Sequence, residues 1–163
     1  EADLSPRAWR LNGERTIHAH IAFARSKGYR GWGMSPCQTP EGAPGGYAEM
    51  GVSPIGTKKD GYPDLGVITP HASVLAWPWL PGAAVSNIRV MFSENDVYGP
   101  YGFYDSVNVV KNTPSRAYLC LDQAMIFIPL ANLVGAGATR GYFHRDATIR
   151  KIEHLLSEEV FYD

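Results

Sequence analysis

The sequence predicts a mainly α-helical domain in which helices and helical pairs alternate with long loops rich in glycine and aromatic residues, the rhythm of an α/α toroid. Two observations carry this prediction. Apolar residues recur at helical spacing in several stretches, and the 17 glycines and 12 prolines gather between those stretches. Strands are therefore expected only as short pieces within the loops. In a toroid the loops at one end of the helices build a cleft, so function is sought there.

Each element has its own signal. Asn12-Gly13-Glu14 can start a first helix through Thr16, Ile17, Ile21 and Ala24, and Gly28 is placed to end it. From Tyr29 to Leu65 neither helical nor alternating periodicity persists. A loop of that length inside a compact domain is uncommon unless it serves function, and Tyr29, Trp32, Tyr47 and Tyr62 argue that it packs. Thr69-Pro70 reads as an N-cap followed by proline at the first helical position, opening an apolar segment through Val74, Leu75 and Trp77. Beyond Pro81, Ala84, Ile88, Met91 and Phe92 mark a second helix that stops near Asn95 and forms a hairpin with the first segment. Residues 96–117 return to a Gly/aromatic loop. Asp122 is placed to cap a helix through Met125, Ile126, Ile128, Leu130 and Leu133, closed by Gly135 or Gly137. That helix is apolar around much of its circumference and is expected to be a buried wall. A last helix through Ile149, Ile152, Leu155 and Leu156 carries Arg150, Lys151 and Glu153 outward.

Composition bounds the function. A length of 163 residues suits one domain. With 15 Lys+Arg against 16 Asp+Glu and no basic block, nothing would draw a phosphate backbone, so nucleic acid is not an expected partner. No apolar run approaches the ~20 residues that span a bilayer. The start, Glu1-Ala2-Asp3, lacks both a leader pattern and Met, as in a processed or truncated product, which leaves the compartment open. Cys37 and Cys120 lack zinc-site spacing, and both a disulfide and a pair of reduced thiols remain open for them. His18 and His20 fall on different helix faces; His71, His144 and His154 stand alone and read as packing or surface residues. No metal and no cofactor are expected. GxSxG, Walker and GxGxxG patterns are absent, which leaves acid chemistry on a polar substrate.

The acids in the aromatic loops fit that chemistry. Glycoside hydrolysis needs two carboxyl groups, one protonating the leaving oxygen and one acting on water or on the anomeric carbon. Asp122 is the first candidate, with helix capping as its plainer role. Asp105 stands among Phe103, Tyr104 and Asn108, where a turn acid is the plainer role, and Glu49 follows Gly45-Gly46-Tyr47-Ala48, where a solvated surface acid is. Trp32, Tyr47 and Tyr104 could stack on sugar rings, and Asn108 and Gln123 could bind hydroxyls, whereas Trp77 and Trp79 read as core. The expected partner is an oligo- or polysaccharide.

Five blocks in order carry a resemblance: Gly31-Trp32-Gly33-Met34-Ser35, Gly46-Tyr47-Ala48-Glu49-Met50-Gly51, Gly66-Val67-Ile68-Thr69-Pro70-His71-Ala72, Tyr101 through Asn108, and Tyr118-Leu119-Cys120-Leu121-Asp122-Gln123. Across residues 29–135 the chain resembles the glycoamylase-like domain of bacterial glycoside hydrolases, a group with endo-β-1,2-glucanases and part of the cyclic β-1,2-glucan synthases. The resemblance implies an (α/α)6 toroid, inverting glucan cleavage, a periplasmic or secreted location, a base-side carboxylate at Asp122 and a general-acid Glu lying upstream of Glu1. Residues 1–163 would then be the C-terminal portion of a larger catalytic domain, partnered by its N-terminal part, which leaves activity of the portion alone an open question. Ala131-Asn132-Leu133 stands where the family usually has an acid-Asn-aromatic group, and Trp77-Pro78-Trp79-Leu80-Pro81 lacks the acid that commonly follows the matching proline. Linkage and substrate stay open on that account. Two functions compete: a β-glucan hydrolase, and a non-catalytic glycan-binding or structural domain that has lost its acid pair.

Overall fold

In a computed structural model that describes residues 8–40 and 46–157, helices alternate with loops holding two-residue strands. The order is α1 (Ala8–Ser26), β1 (Cys37–Gln38), β2 (Tyr47–Ala48), a 3₁₀ turn (Ser53–Ile55), β3 (Val67–Ile68), α2 (Pro70–Leu75) and α3 (Pro81–Glu94). Then come β4 (Tyr98–Gly99), β5 (Gly102–Phe103), β6 (Val107–Asn108), β7 (Thr113–Pro114), α4 (Cys120–Val134), α5 (Ala138–Phe143) and α6 (Ala147–Ser157). The mainly α expectation holds, with strands confined to the loops. Beyond it, α1 starts before Asn12, and α5 lies in a stretch where only helix-closing glycines were expected.

Local chemistry explains the boundaries. α1 ends where Gly28 takes φ +70° and the Tyr29 N–H turns back onto the Ala24 carbonyl at 2.9 Å. Pro70 opens α2, and α3 restarts after Pro78 with Pro81 at its own first turn. α2 packs against α3, the expected hairpin, and also against α4. Thr69 holds the N-cap position, but its hydroxyl donates to the Gly33 carbonyl at 3.1 Å instead of capping the helix. That bond and the Thr69 N–H to Gly33 carbonyl bond, 2.8 Å, moor the first long loop to the start of α2. Asn87 on α3 moors it again: its amide donates to the Trp32 carbonyl and to Ser73 Oγ, both at 2.7 Å, and its oxygen accepts the Trp32 N–H at 3.0 Å.

The main core joins Met34, Val52, Ile68, Met91, Val97 and Val107, so residues of the loops, not the helices alone, build it. A second cluster packs Ile17, Ala76 and Ala84 with Trp32, Trp77 and Trp79. α4 corrects an expectation. Asp122 and Ile126 face inward, yet Leu121, Phe127, Ile128, Leu130, Leu133 and Val134 are exposed, as are Tyr142 and Phe143 on α5. The helix is a wall on one side only, because the elements described here cover a single face of it. Both thiols are free, Cys37 buried and Cys120 exposed. Among the described residues no helix is long and apolar enough to cross a membrane.

Candidate active site

The register of one small sheet gathers the candidate acids. β6 lies between β3 and β7, antiparallel to both, with Ile68 opposite Val107 and Val107 opposite Pro114. The end of β3, the beginning of β6 and the end of β7 therefore share one end of the sheet. From that end β3 runs through Thr69-Pro70 to His71, the chain enters β6 through Asp105-Ser106, and β7 leads on to α4, whose third residue is Asp122. Side chains far apart in sequence thus converge: one donor atom from each of His71, Asp105 and Asp122 lies within 4.8 Å of the others.

All three are buried, His71 and Asp105 at 1% exposure and Asp122 at 3%. His71 Nδ1 stands 3.6 Å from Asp122 Oδ1, and neither ring nitrogen of His71 has a hydrogen-bond partner. Asp105 Oδ2 accepts the Gln38 N–H at 2.6 Å, while Oδ1 receives no N–H or hydroxyl donor. β1 is fixed over Asp105 by this bond and by the Ser106 hydroxyl, which donates to the Gln38 carbonyl. Below, the Asp105 N–H donates to the Ala117 carbonyl at 2.9 Å.

The electrostatics follow from burial. Loss of solvation, then the hydrogen bond to Asp122, then its charge push the Asp105 carboxyl up to about 8, against the Gln38 N–H, which pulls it down. Burial lowers the His71 pKa, against the attraction of Asp122. Cys37 is pushed up to about 12 by burial first and by the Asp105 charge second. The Tyr47 hydroxyl is raised as well, by burial and then by the charges of Asp122 and Asp105, which puts its half-exposed ring at the rim of the pair. At neutral pH these directions describe a neutral imidazole at His71 and a protonated carboxyl at Asp105.

The geometry limits the chemistry. Carboxyls that flank a glycosidic bond stand ~5–5.5 Å apart in retaining enzymes and ~6.5–9.5 Å apart in inverting ones. Asp105 and Asp122 offer carboxylate oxygens within 4.8 Å of each other, closer than either spacing, so they serve one side of a bond together. Three donors fall one short of a closed tetrahedral metal shell, and lying within 4.8 Å of one another they can also share hydrogen bonds.

The other candidates are distributed. Asp122 is not the N-cap of α4; Leu119 is, and Asp122 lies in the first turn, where the positive helix end favours a carboxylate. Tyr104 is buried beside Asp105, its ring 5.2 Å from that of Tyr118. Gln123 donates to the Phe103 carbonyl at 2.9 Å and so holds β5 against α4. Asn108 is committed to its own loop, donating to the Leu65 carbonyl and accepting the Val110 and Lys111 N–H groups. Glu49 points outward to Lys58 at 3.1 Å, and Trp32 packs in the second cluster away from the acids. Two grooves, one of ≈ 240 Å³ between α1 and α3 and one of ≈ 260 Å³ beside Trp32 and Trp79, carry no carboxylate, so the acids and not these grooves mark the site. In the sequence His71 stands as an isolated histidine. Its sequence signal, a histidine directly after Thr69-Pro70, is too common to single it out.

Comparison with known proteins bears on this arrangement. Residues 2–145 match the sequence model of the glycoamylase family, described as "Putative glucoamylase". The chain is 32% identical over 125 residues to the cyclic beta-(1,2)-glucan synthase NdvB of Rhizobium meliloti (strain 1021), covering 70% of this chain and 4% of that protein. It superposes on a "putative glucoamylase" of Bacteroides uniformis with a TM-score of 0.66 at 24% identity, covering 83% of this chain and 32% of the other. On the endo-beta-1,2-glucanase of Chitinophaga pinensis, solved with sophorotriose and glucose, the TM-score is 0.63 at 22% identity, covering 82% and 31%. The chain thus spans about a third of the length of these solved structures, which are helical toroids, and a small part of the synthase. The ordered sequence blocks, the shared fold and a family match over most of the chain agree, and the chain belongs to the glycoamylase family.

Proposed function

We propose that this chain supplies the base side of a glucan-hydrolysing active site, with Asp122 as the carboxylate that takes a proton from the attacking water. The carrying observation is the placement of Asp122 in the first turn of α4, against a second acid whose burial keeps it protonated. In the reaction the water oxygen bonds to the anomeric carbon as the bond to the leaving sugar oxygen breaks. The water proton passes to Asp122, and an opposing acid protonates the leaving oxygen, with inversion. Because Asp105 stands on the same side and Glu49 is engaged with Lys58 at the surface, the opposing acid is assigned to a segment outside this chain. The exposed apolar side chains of α4 and α5 support that assignment, since further toroid helices would cover them. Tyr47 is proposed to stack on substrate from the rim, with Tyr104 and Gln123 shaping the loops around it. The substrate is a β-1,2-linked glucan, on the strength of the glucanase and synthase among the relatives.

A second reading, glycan binding without cleavage, draws on the near-complete burial of Asp122. Asp122→Asn in the longer protein that carries this chain separates the two. Release of sugar from β-1,2-glucan is expected to fall by ~10²–10⁴ while glycan binding and thermal unfolding are kept, since an amide retains shape but accepts no proton. Near-normal turnover would leave Asp122 without a catalytic role.

A further inference from the structure

We propose that Asp105, as a neutral carboxyl, and His71, as a neutral imidazole, are positioning residues that donate hydrogen bonds to Asp122 from two sides, holding its carboxylate ionised and aimed. The inference rests on the role given above to Asp122 and adds to it two residues with a defined task. Asp105 Oδ1 and the His71 ring nitrogens are buried polar atoms without a donor or acceptor, and an unsatisfied buried polar atom is costly. Both groups converge on Asp122, Asp105 with a carboxylate oxygen within 4.8 Å of it and His71 through its Nδ1 at 3.6 Å. One proton arrangement gives Asp105 Oδ1 and His71 Nδ1 a partner: the proton of Asp105 on Oδ1 directed at Asp122, and the Nδ1 proton of His71 directed at Asp122 Oδ1. Asp105 Oδ2 is unavailable for that task, since it already takes the Gln38 N–H.

The surroundings favour neutral donors. Among the described residues of the covering hairpin, Cys37 of β1 and Tyr47 of β2 are the titratable groups that face the pair, with Glu49 beyond Tyr47, and none of these brings a positive charge. A charged Asp105 would therefore meet the Asp122 charge with no cation to offset it. A charged His71 would carry a second proton on Nε2, a buried atom with no acceptor. With neutral donors the cluster carries one negative charge, and that charge sits on the residue in the first turn of α4.

Nuclear magnetic resonance on the chain labelled at Asp and His carbons and nitrogens tests the proton arrangement without any turnover. At pH ~6 the expected spectrum has Asp105 protonated, Asp122 ionised and a neutral His71 bearing its proton on Nδ1. An ionised Asp105, an imidazolium at His71, or shifts of these signals on adding EDTA, which would reveal a bound divalent cation, would each overturn the proposal. In the longer protein, the donor-preserving Asp105→Asn and His71→Asn are expected to keep turnover of β-1,2-glucan within a few-fold. Asp105→Ala and His71→Leu are expected to lose about 10–100-fold in kcat with little change in KM, the cost of removing groups that orient a reactive one. If Asp105→Asn is as damaging as Asp122→Asn, Asp105 itself handles the reacting proton and the positioning role is wrong. If Asp122→Asn leaves turnover intact while the spectrum is as expected, the proton arrangement stands and only the catalytic reading fails.

Discussion

Asparagine at position 105 converts the proton held by Asp105 into a measurable pH dependence of stability. Burial, and then Asp122, push the folded Asp105 carboxyl up to about 8 from an ordinary value of 3.8. A buried acid shifted upward stabilises the fold while protonated; that stability is full below 3.8 and is lost as pH climbs through about 8. The wild-type chain should therefore lose up to ~1.4 kcal/mol per pH unit between these limits, which Asp105→Asn, neutral at every pH, does not lose. Over about pH 5 to 8 the variant gains up to ~4 kcal/mol relative to wild type, from whatever offset the substitution itself imposes. Asp122, His71, Cys37 and Tyr47 remain in both proteins, so the difference reads position 105 together with its interaction with those groups. Urea unfolding at several pH values, read as the wild-type-to-variant difference in free energy with slopes compared, provides the assay. A difference that stays level across this range would show that Asp105 does not hold its proton in the fold. One that moves against the variant as pH rises would show that the ionised form is favoured.

Other consequences are direct. Ile68→Ala empties a fully buried site that packs over Gly31 and lies opposite Val107, and should cost ~2–5 kcal/mol in chemical unfolding. At Gly99 a Cβ would come within 2.5 Å of the buried Tyr104 ring and also strike the Tyr118 hydroxyl, so Gly99→Ala should destabilise by ~1–3 kcal/mol and alter the near-ultraviolet circular dichroism of the tyrosines. A thiol reagent should modify Cys120 quickly and Cys37 only on unfolding, because Cys120 is exposed while burial pushes the Cys37 thiol up to about 12; two fast thiols would contradict the packing of β1. Glu49→Gln breaks an exposed pair with Lys58 and should change stability by less than ~1 kcal/mol and leave glucan turnover near wild type.

The helical framework was legible in the sequence because Pro70, Pro81 and Gly28 act locally, through fixed φ or through positive φ, and punctuate stretches of 3.6 periodicity. The flatter environment of α4 was not legible: an apolar sequence reports what a helix could bury and not which neighbours cover it. Asp105 and Asp122 could be named as acids in aromatic loops, but their contact could not. It depends on the pairing of β3, β6 and β7, and two-residue strands are too short to show an alternating pattern. The same reason hid His71, whose importance lies wholly in what stands opposite it. Trp32 and Asn108 show the converse. Both have side chains suited to sugars, yet one packs with Ile17, Ala76 and Ala84, and the other supplies backbone bonds to its loop.

The shared sheet end also sets how this chain can change length. The turn between Asn108 and Thr113, where Asn112 takes φ +52°, lies at the far end of β6 and β7, so residues added there lengthen a surface bend and leave His71, Asp105 and Asp122 in place. A single residue inserted between Ile68 and His71, or between Asp105 and Val107, moves one member of the cluster by a full backbone step while the helices stay intact. Length variation among natural or engineered versions should thus be free at one end of these three strands and forbidden at the other, a pattern that a library of one-residue insertions scored for folding and for glucan turnover would display.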